Sequence, residues 1–220
     1  MKKNRFAPAF DELPASIPIF PLNGAVVLPG TQLPLNIFEP RYVNMVLDVL
    51  GEHRMIGMVQ SNPADRYSTK PEIYPVGCAG RITSFSETND GRLLIVLTGV
   101  CRFGVIEEIP TTRGYRRTVV NWTPFARDFN RDEEQLKTRK LLESQVKVYC
   151  ETHQLEVAWD VLDKLRDADF VNFLATQLPD KDSEKQSLLE AMDLESRAQL
   201  LMGILSPSHG ADAKPHGPLH

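Results

Sequence analysis

Apolar side chains repeat at two different spacings in this chain of 220 residues, and the changeover falls near residue 127. A period near two belongs to strands and a period near 3.6 to helices, so the chain has to build both, one after the other. The order predicts an α+β molecule: a β-rich first part and a helical second part.

In the first part, residues 17–22, 25–28, 33–38, 55–60, 73–85, 92–98, 103–109 and 115–122 read as strands, bounded by Gly, Pro, Asn and Asp. Asn89-Asp90-Gly91 between two of them signals a hairpin, because Asp-Gly readily takes positive φ. Many short strands with turn punctuation suggest a barrel or a strongly bent sheet. One helix interrupts them. Glu39-Pro40 opens it, Tyr42, Met45, Val46, Val49 and Leu50 give its apolar face, and Gly51 ends it.

The second part predicts five helices. Asp132 would cap the first, with Leu142, Val146 and Tyr149 on one face. Leu155, Trp159 and Leu162 mark the second. The third starts at Asp169, carries Phe170, Phe173, Leu174 and Leu178, and stops at Pro179. Ser183 and Gln186 match a capping box for the fourth. Asp193 would cap the fifth, with a stripe of Leu194, Ala198, Leu201 and Leu205. The expected domains are an arm over residues 1–16, a β subdomain over 17–127, a helical subdomain over 128–206, and a disordered tail over 207–220. Arg127 to Arg131 is the expected joint.

Charge divides at the same place. Residues 1–127 carry 14 Lys/Arg and 11 Asp/Glu, whereas residues 128–220 carry 11 and 18. The net charge of -4 over all 220 residues lacks the basic footprint of a DNA-binding protein. Cys78, Cys101 and Cys150 are odd in number, widely spaced and without CxxC, which argues against a disulfide framework or a zinc site and for a reducing cytoplasm. Pro8, Asp11, Glu12 and Pro14 interrupt any signal-peptide core. No apolar run approaches the ~20 residues of a membrane span. The expectation is therefore a protein of the cytoplasm that has no membrane partner.

Motifs in both parts are more specific. Pro21-Leu22, Val27-Leu28-Pro29-Gly30, Leu33-Pro34-Leu35 and Phe38-Glu39-Pro40-Arg41-Tyr42 follow one another. Tyr74-Pro75-Val76-Gly77-Cys78-Ala79-Gly80 and Leu97-Thr98-Gly99-Val100-Cys101-Arg102-Phe103 come next. Phe170-Val171-Asn172-Phe173-Leu174-Ala175, Leu178-Pro179 and Glu184-Lys185-Gln186-Ser187-Leu188-Leu189-Glu190 lie in the helical part. In this order they resemble the N-terminal, substrate-binding domain of Lon proteases over roughly residues 17–206, and the LON domain of cereblon is similar. The resemblance implies a PUA-like β pseudobarrel followed by a helical bundle. It implies a partner that is an unfolded polypeptide or a protein, with a role near ATP-dependent proteolysis and protein quality control. No GxxxxGK[ST] phosphate loop occurs, and 220 residues leave no room for an ATPase module or a Ser–Lys protease module. The expectation is a stand-alone, non-catalytic module with no cofactor.

Two residue sets are candidate contacts. Leu33, Leu35, Phe38, Glu39, Arg41 and Tyr42 would form an apolar rim for peptide, set against the plainer reading that strand alternation buries the leucines and that Glu39 serves the helix N-terminus. Arg113, Tyr115, Arg116 and Arg117 are the one basic, aromatic cluster, which gives an alternative as an RNA-binding PUA-like module. Its plainer readings are a solvated strand edge or a face turned toward the acidic helical part. Gly77 and Gly80 form GxxG, but strand-like flanks point to bulges or tight packing rather than to a nucleic-acid clamp. Cys150 and His153 share a helix face, which more simply reads as packing than as a metal pair. His209, His216 and His220 are loosely spaced in the tail. No GxSxG or HExxH motif supports catalysis, and no metal site is expected.

Overall fold

The computed structural model describes residues 8–62, 65, 68, 70–130, 134–179 and 181–206. Asp132, His209, His216 and His220 lie outside the described residues. The chain forms two compact units, Met1–Asn130 and Arg131–His220.

The first unit is one sheet of six strands: β1 Ser16–Pro21, β2 Gln32–Ile37, β3 Met55–Val59, β4 Val76–Glu87, β5 Leu93–Ile109 and β6 Arg116–Asn121. Their order is β2-β5-β4-β3-β1-β6, and β5 pairs with β6 as well, which closes the sheet into a barrel. Only β1 and β3 run parallel, and α1, Pro40–Leu50, lies in the connection between them. Pro40 stands in its first turn, where the missing N–H costs nothing, and Tyr42, Met45, Val46 and Val49 are buried. Ile17, Ile19, Met55, Phe103, Val120 and Trp122 contribute to the barrel core. Arg102 and Asp128, 3% and 7% exposed, form a buried pair at 2.8 Å that ties β5 to the 3-10 helix Thr123–Phe129.

β5 departs from the expectation of two strands over 92–98 and 103–109. Gly99 lies inside one strand of 17 residues. A Cβ there would come within 2.0 Å of the Leu28 carbonyl oxygen, so glycine serves a close approach of two backbones. The same contact explains why residues 25–28 form no strand. Gly30 donates to the Gly99 carbonyl at 2.9 Å, Gly99 donates to Thr31, and the Thr31 hydroxyl bonds both polar groups of the Leu28 backbone. Val26, Val27 and Leu28 are buried as coil. Likewise the expected strand over 73–85 starts at Val76, with Ile73 only bridging to Ser61. The Asp90-Gly91 hairpin forms between β4 and β5, with Gly91 at φ 80°. Gly77 is a packing glycine, since a Cβ would meet the Met58 carbonyl at 2.6 Å and the Phe103 ring at 2.7 Å. The GxxG segment also holds a register shift at Ala79/Gly80.

The second unit is helical: α2 Arg139–Thr152, α3 Trp159–Leu162, α4 Asp167–Gln177, α5 Asp182–Glu190 and α6 Leu194–Ile204. α2 starts at Arg139, later than expected. Its buried stripe is Leu142, Val146 and Cys150, with Cys150 in the place expected for Tyr149, because a four-residue step keeps one face. α3 is one turn long and excludes Leu155. α4 opens at Asp167, two residues before the expected Asp169. The expected capping box of α5 does not form. Its cap position is Lys181, and Gln186 reaches forward to the Glu190 carboxylate at 2.7 Å. At α6, Asp193 accepts from the Ser196 amide at 2.8 Å, and Leu194, Ala198, Leu201 and Leu205 are buried together. Buried Arg197 reaches Asn172 on α4 at 2.7 Å and the Leu188 carbonyl on α5 at 2.8 Å, which fixes three helices to one another.

Candidate functional site

The rim residues separate into two groups. Leu33 and Leu35 are half-buried on β2, opposite Leu97 and Ile95 of β5 and on the same face of the sheet. Phe38, just past the strand, is 62% exposed, with the Arg92 guanidinium 5.7 Å from its ring. Glu39 and Arg41 pair with each other at 2.7 Å, and both are nearly half exposed. Arg41 therefore finds its partner two residues away and not across the domain. Tyr42 is 7% exposed and tilts against Phe20 of β1 at 4.2 Å, with the Arg41 guanidinium 4.6 Å from its ring centre.

The basic cluster is neutralised where it stands. Arg113 pairs with Asp48 at 3.1 Å and also reaches Asn44, both on α1. Arg116 donates to Glu108 at 3.0 Å and to the Pro71 carbonyl at 2.8 Å. Arg117 pairs with Glu52 at 3.2 Å. Tyr115 is buried and donates its hydroxyl to Asp48 at 2.9 Å, so its ring offers no free face for base stacking. Burial, followed by the Asp48 bond, raises the Tyr115 phenol above its ordinary value. Glu108 moves the other way: the Arg116 hydrogen bond holds its carboxyl below the ordinary range, with Lys70 adding to the effect.

The two sets, some 70 residues apart in sequence, meet in space. Arg41 and Tyr42 of the rim and Tyr115 and Arg116 of the basic cluster line one pocket of about 220 Å³ in the barrel unit, together with Lys70. Leu33, Leu35 and Phe38 do not line it, nor do Arg113 and Arg117. Neither motif alone reveals this juxtaposition. It depends on β1 pairing with β6, in which Ile19 stands opposite Arg116, two residues before the point where β1 reaches the pocket at Pro21. Lys70 and Ser61, also on the pocket, carried no sequence signal at all.

The helical unit has its own opening of about 560 Å³, where the Lys147 ammonium lies 5.2 Å from the centre of the Trp159 ring. Cys150 borders it as a buried thiol, pushed up to about 11 by burial. His153 does not face Cys150 as a base. Its Nδ1 lies 2.9 Å from the Tyr149 carbonyl oxygen and its ring stacks on Tyr149 at 4.1 Å. Among the described residues no cluster of His, Cys, Asp and Glu could hold a metal ion. Among them too, no helix is long and apolar enough to cross a membrane.

Comparison with known proteins accounts for this architecture. The model of the ATP-dependent protease La (LON) substrate-binding domain matches residues 16–206, through both units. A Lon protease of Flavobacterium johnsoniae is 27% identical over 192 residues, covering 86% of this chain and 23% of that protein. Lon protease 2 of Sorangium cellulosum is also 27% identical, covering 86% of this chain and 24% of its own length. The chain thus spans about a quarter of the curated relatives it matches, and the matched part is the substrate-binding domain and not the ATPase or protease modules. Among solved structures, a Lon N-terminal domain protein from Xanthomonas campestris is 26% identical with a TM-score of 0.63, covering 86% of this chain and 97% of its own. The N-terminal domain of a Mycobacterium avium complex Lon protease shares the fold, with a TM-score of 0.65 at 15% identity, 87% of this chain and 98% of its own. A six-stranded barrel joined to five helices and a family match through both units lead to one conclusion: this chain belongs to the LON substrate-binding domain family.

Proposed function

We propose that this chain is a non-catalytic binding module that holds unfolded segments of polypeptide, or a protein partner, in cytoplasmic protein quality control. The observation that carries the reading is the substrate-binding family match over residues 16–206, which engages both units. The three free thiols, all buried, suit a reducing compartment. Phe38 supplies an exposed aromatic anchor beside β2, of the kind that dominates binding energy at protein surfaces. The ion pairs on Arg113, Arg116 and Arg117 favour peptide over RNA, since phosphate binding would have to displace carboxylates.

The test is fluorescence anisotropy of a labelled, permanently unfolded polypeptide at low and high salt. Saturable binding that survives salt is expected, and Phe38→Asp should weaken it about tenfold without unfolding the protein. Leu33→Asp and Leu35→Asp are poor probes, because they place charge on the face shared with Ile95 and Leu97. No binding in either salt would sink the recognition of unfolded segments and leave a dedicated folded partner. Binding that falls steeply with salt would return the RNA alternative.

A further inference from the structure

The pocket shared by the two residue sets has a one-sided lining. Among the described residues its charged members are Arg41, Lys70 and Arg116, and none is acidic. Two carboxylates behind the lining partly compensate them: Glu39 pairs with Arg41, and Glu108 takes both Lys70 and Arg116. Among the described residues, three cations stand against two anions, an excess of one positive charge.

Two hydroxyl groups point to how that charge is used. Tyr42 and Ser61 are both 7% exposed, both line the pocket, and neither hydroxyl has a hydrogen-bond partner among the described residues. Both hydroxyls open on the pocket without a bond to another described residue, so both are available to donate to a group bound there. Burial raises the Tyr42 phenol, which stays a neutral O–H donor even with Arg41 and Arg116 nearby. The walls are held from behind. Arg116 is fixed by Glu108 and the Pro71 carbonyl, and Tyr115 by Asp48. A volume of about 220 Å³ is below that of a drug-sized site and suits one residue-sized group.

We propose that this pocket binds the carboxylate of a polypeptide ligand, with the Tyr42 and Ser61 hydroxyls donating to it and Arg41, Lys70 and Arg116 supplying the field. An excess of one positive charge matches a monoanion, which favours a carboxylate over a phosphate near charge −2. The proposal deepens the polypeptide-binding reading and rests on it for the source of the carboxylate, either the C-terminus of a polypeptide or an acidic side group within it.

The experiment uses the 220-residue chain and three labelled ten-residue peptides of otherwise equal sequence: one with a free C-terminal carboxylate, one amidated, and one amidated with an internal Glu. The variant is Tyr42→Phe with Ser61→Ala, which keeps the ring against Phe20 and removes both hydroxyls. A peptide bearing a carboxylate should bind about tenfold tighter than the plain amidated one, and the variant should erase that advantage. Preference for the free terminus assigns the source to the C-terminus, and equal binding of the Glu peptide assigns it to an acidic residue. Equal binding of all three peptides overturns the pocket and leaves the general client reading standing. Should no peptide bind, sodium acetate decides. Backbone amide shifts at Ser61, Gly114 and Tyr115, absent in the variant, support the pocket while the client reading fails, and no shifts overturn both. Displacement of the peptide by inorganic phosphate but not by acetate overturns the carboxylate assignment.

Discussion

Glu108 sits between Arg116 and Lys70, and it is the acid that lets two cations stand side by side at the pocket. Its carboxyl is held low chiefly by the Arg116 hydrogen bond, against burial, which pulls the other way. A folded value below the unfolded one means that the ionised form stabilises the fold. That contribution is complete above the ordinary carboxylate range and is lost as pH falls through the lower folded value. Glu108→Gln should therefore lower the urea midpoint at about pH 6 and make a shrinking difference below about pH 4. The effect should be about 1 kcal/mol or less, because Glu108 is a quarter exposed. A gap between the two proteins that stays constant from about pH 6 to about pH 3 would show that Glu108 acts by shape and not by charge.

Helix α6 is the element whose start is written most plainly in the sequence, and α5 is the one whose start is not. Both carry a capping signal, yet only Asp193 makes its bond. Asp193→Ala should cost about 1 kcal/mol in chemical unfolding, while Ser183→Ala should change stability by less than about 0.5 kcal/mol. Equal losses would mean that Ser183 caps in solution. The pattern of success and failure is physical. The Asp90-Gly91 hairpin, α1 behind Pro40 and the α6 stripe rest on neighbours within a few residues, and they are legible. Gly99 and residues 25–28 are not, because each conforms to the other across the barrel. The site divides in the same way. Arg41 with Tyr42 and Tyr115 with Arg116 stand out as local motifs, but their meeting is a property of strand pairing, and the unbonded Ser61 hydroxyl has no local signature.

At the scale of the molecule, the barrel unit is closed by its own parts. Every strand of the sheet lies between Ser16 and Asn121, and the Arg102–Asp128 pair falls within the same unit. A fragment of residues 1–130 should thus fold alone and give dispersed amide signals and cooperative thermal unfolding. A collapsed, non-cooperative fragment would show that the barrel needs the helical unit to hold its shape. The pairing of β1 with β6 sets a further condition on this unit. Ser16 meets Val119, and Ile19 meets Arg116, so the first strand finds one neighbour only after about a hundred further residues have been made. Its other neighbour, β3, is itself some 40 residues away and parallel. The ring therefore cannot close on a ribosome until β6 has emerged, and β1 waits with at least that edge open in the meantime. A fold whose ends are its seam assembles slowly and passes through sticky intermediates, and its biogenesis depends on how well that first strand is shielded while the last is still being translated.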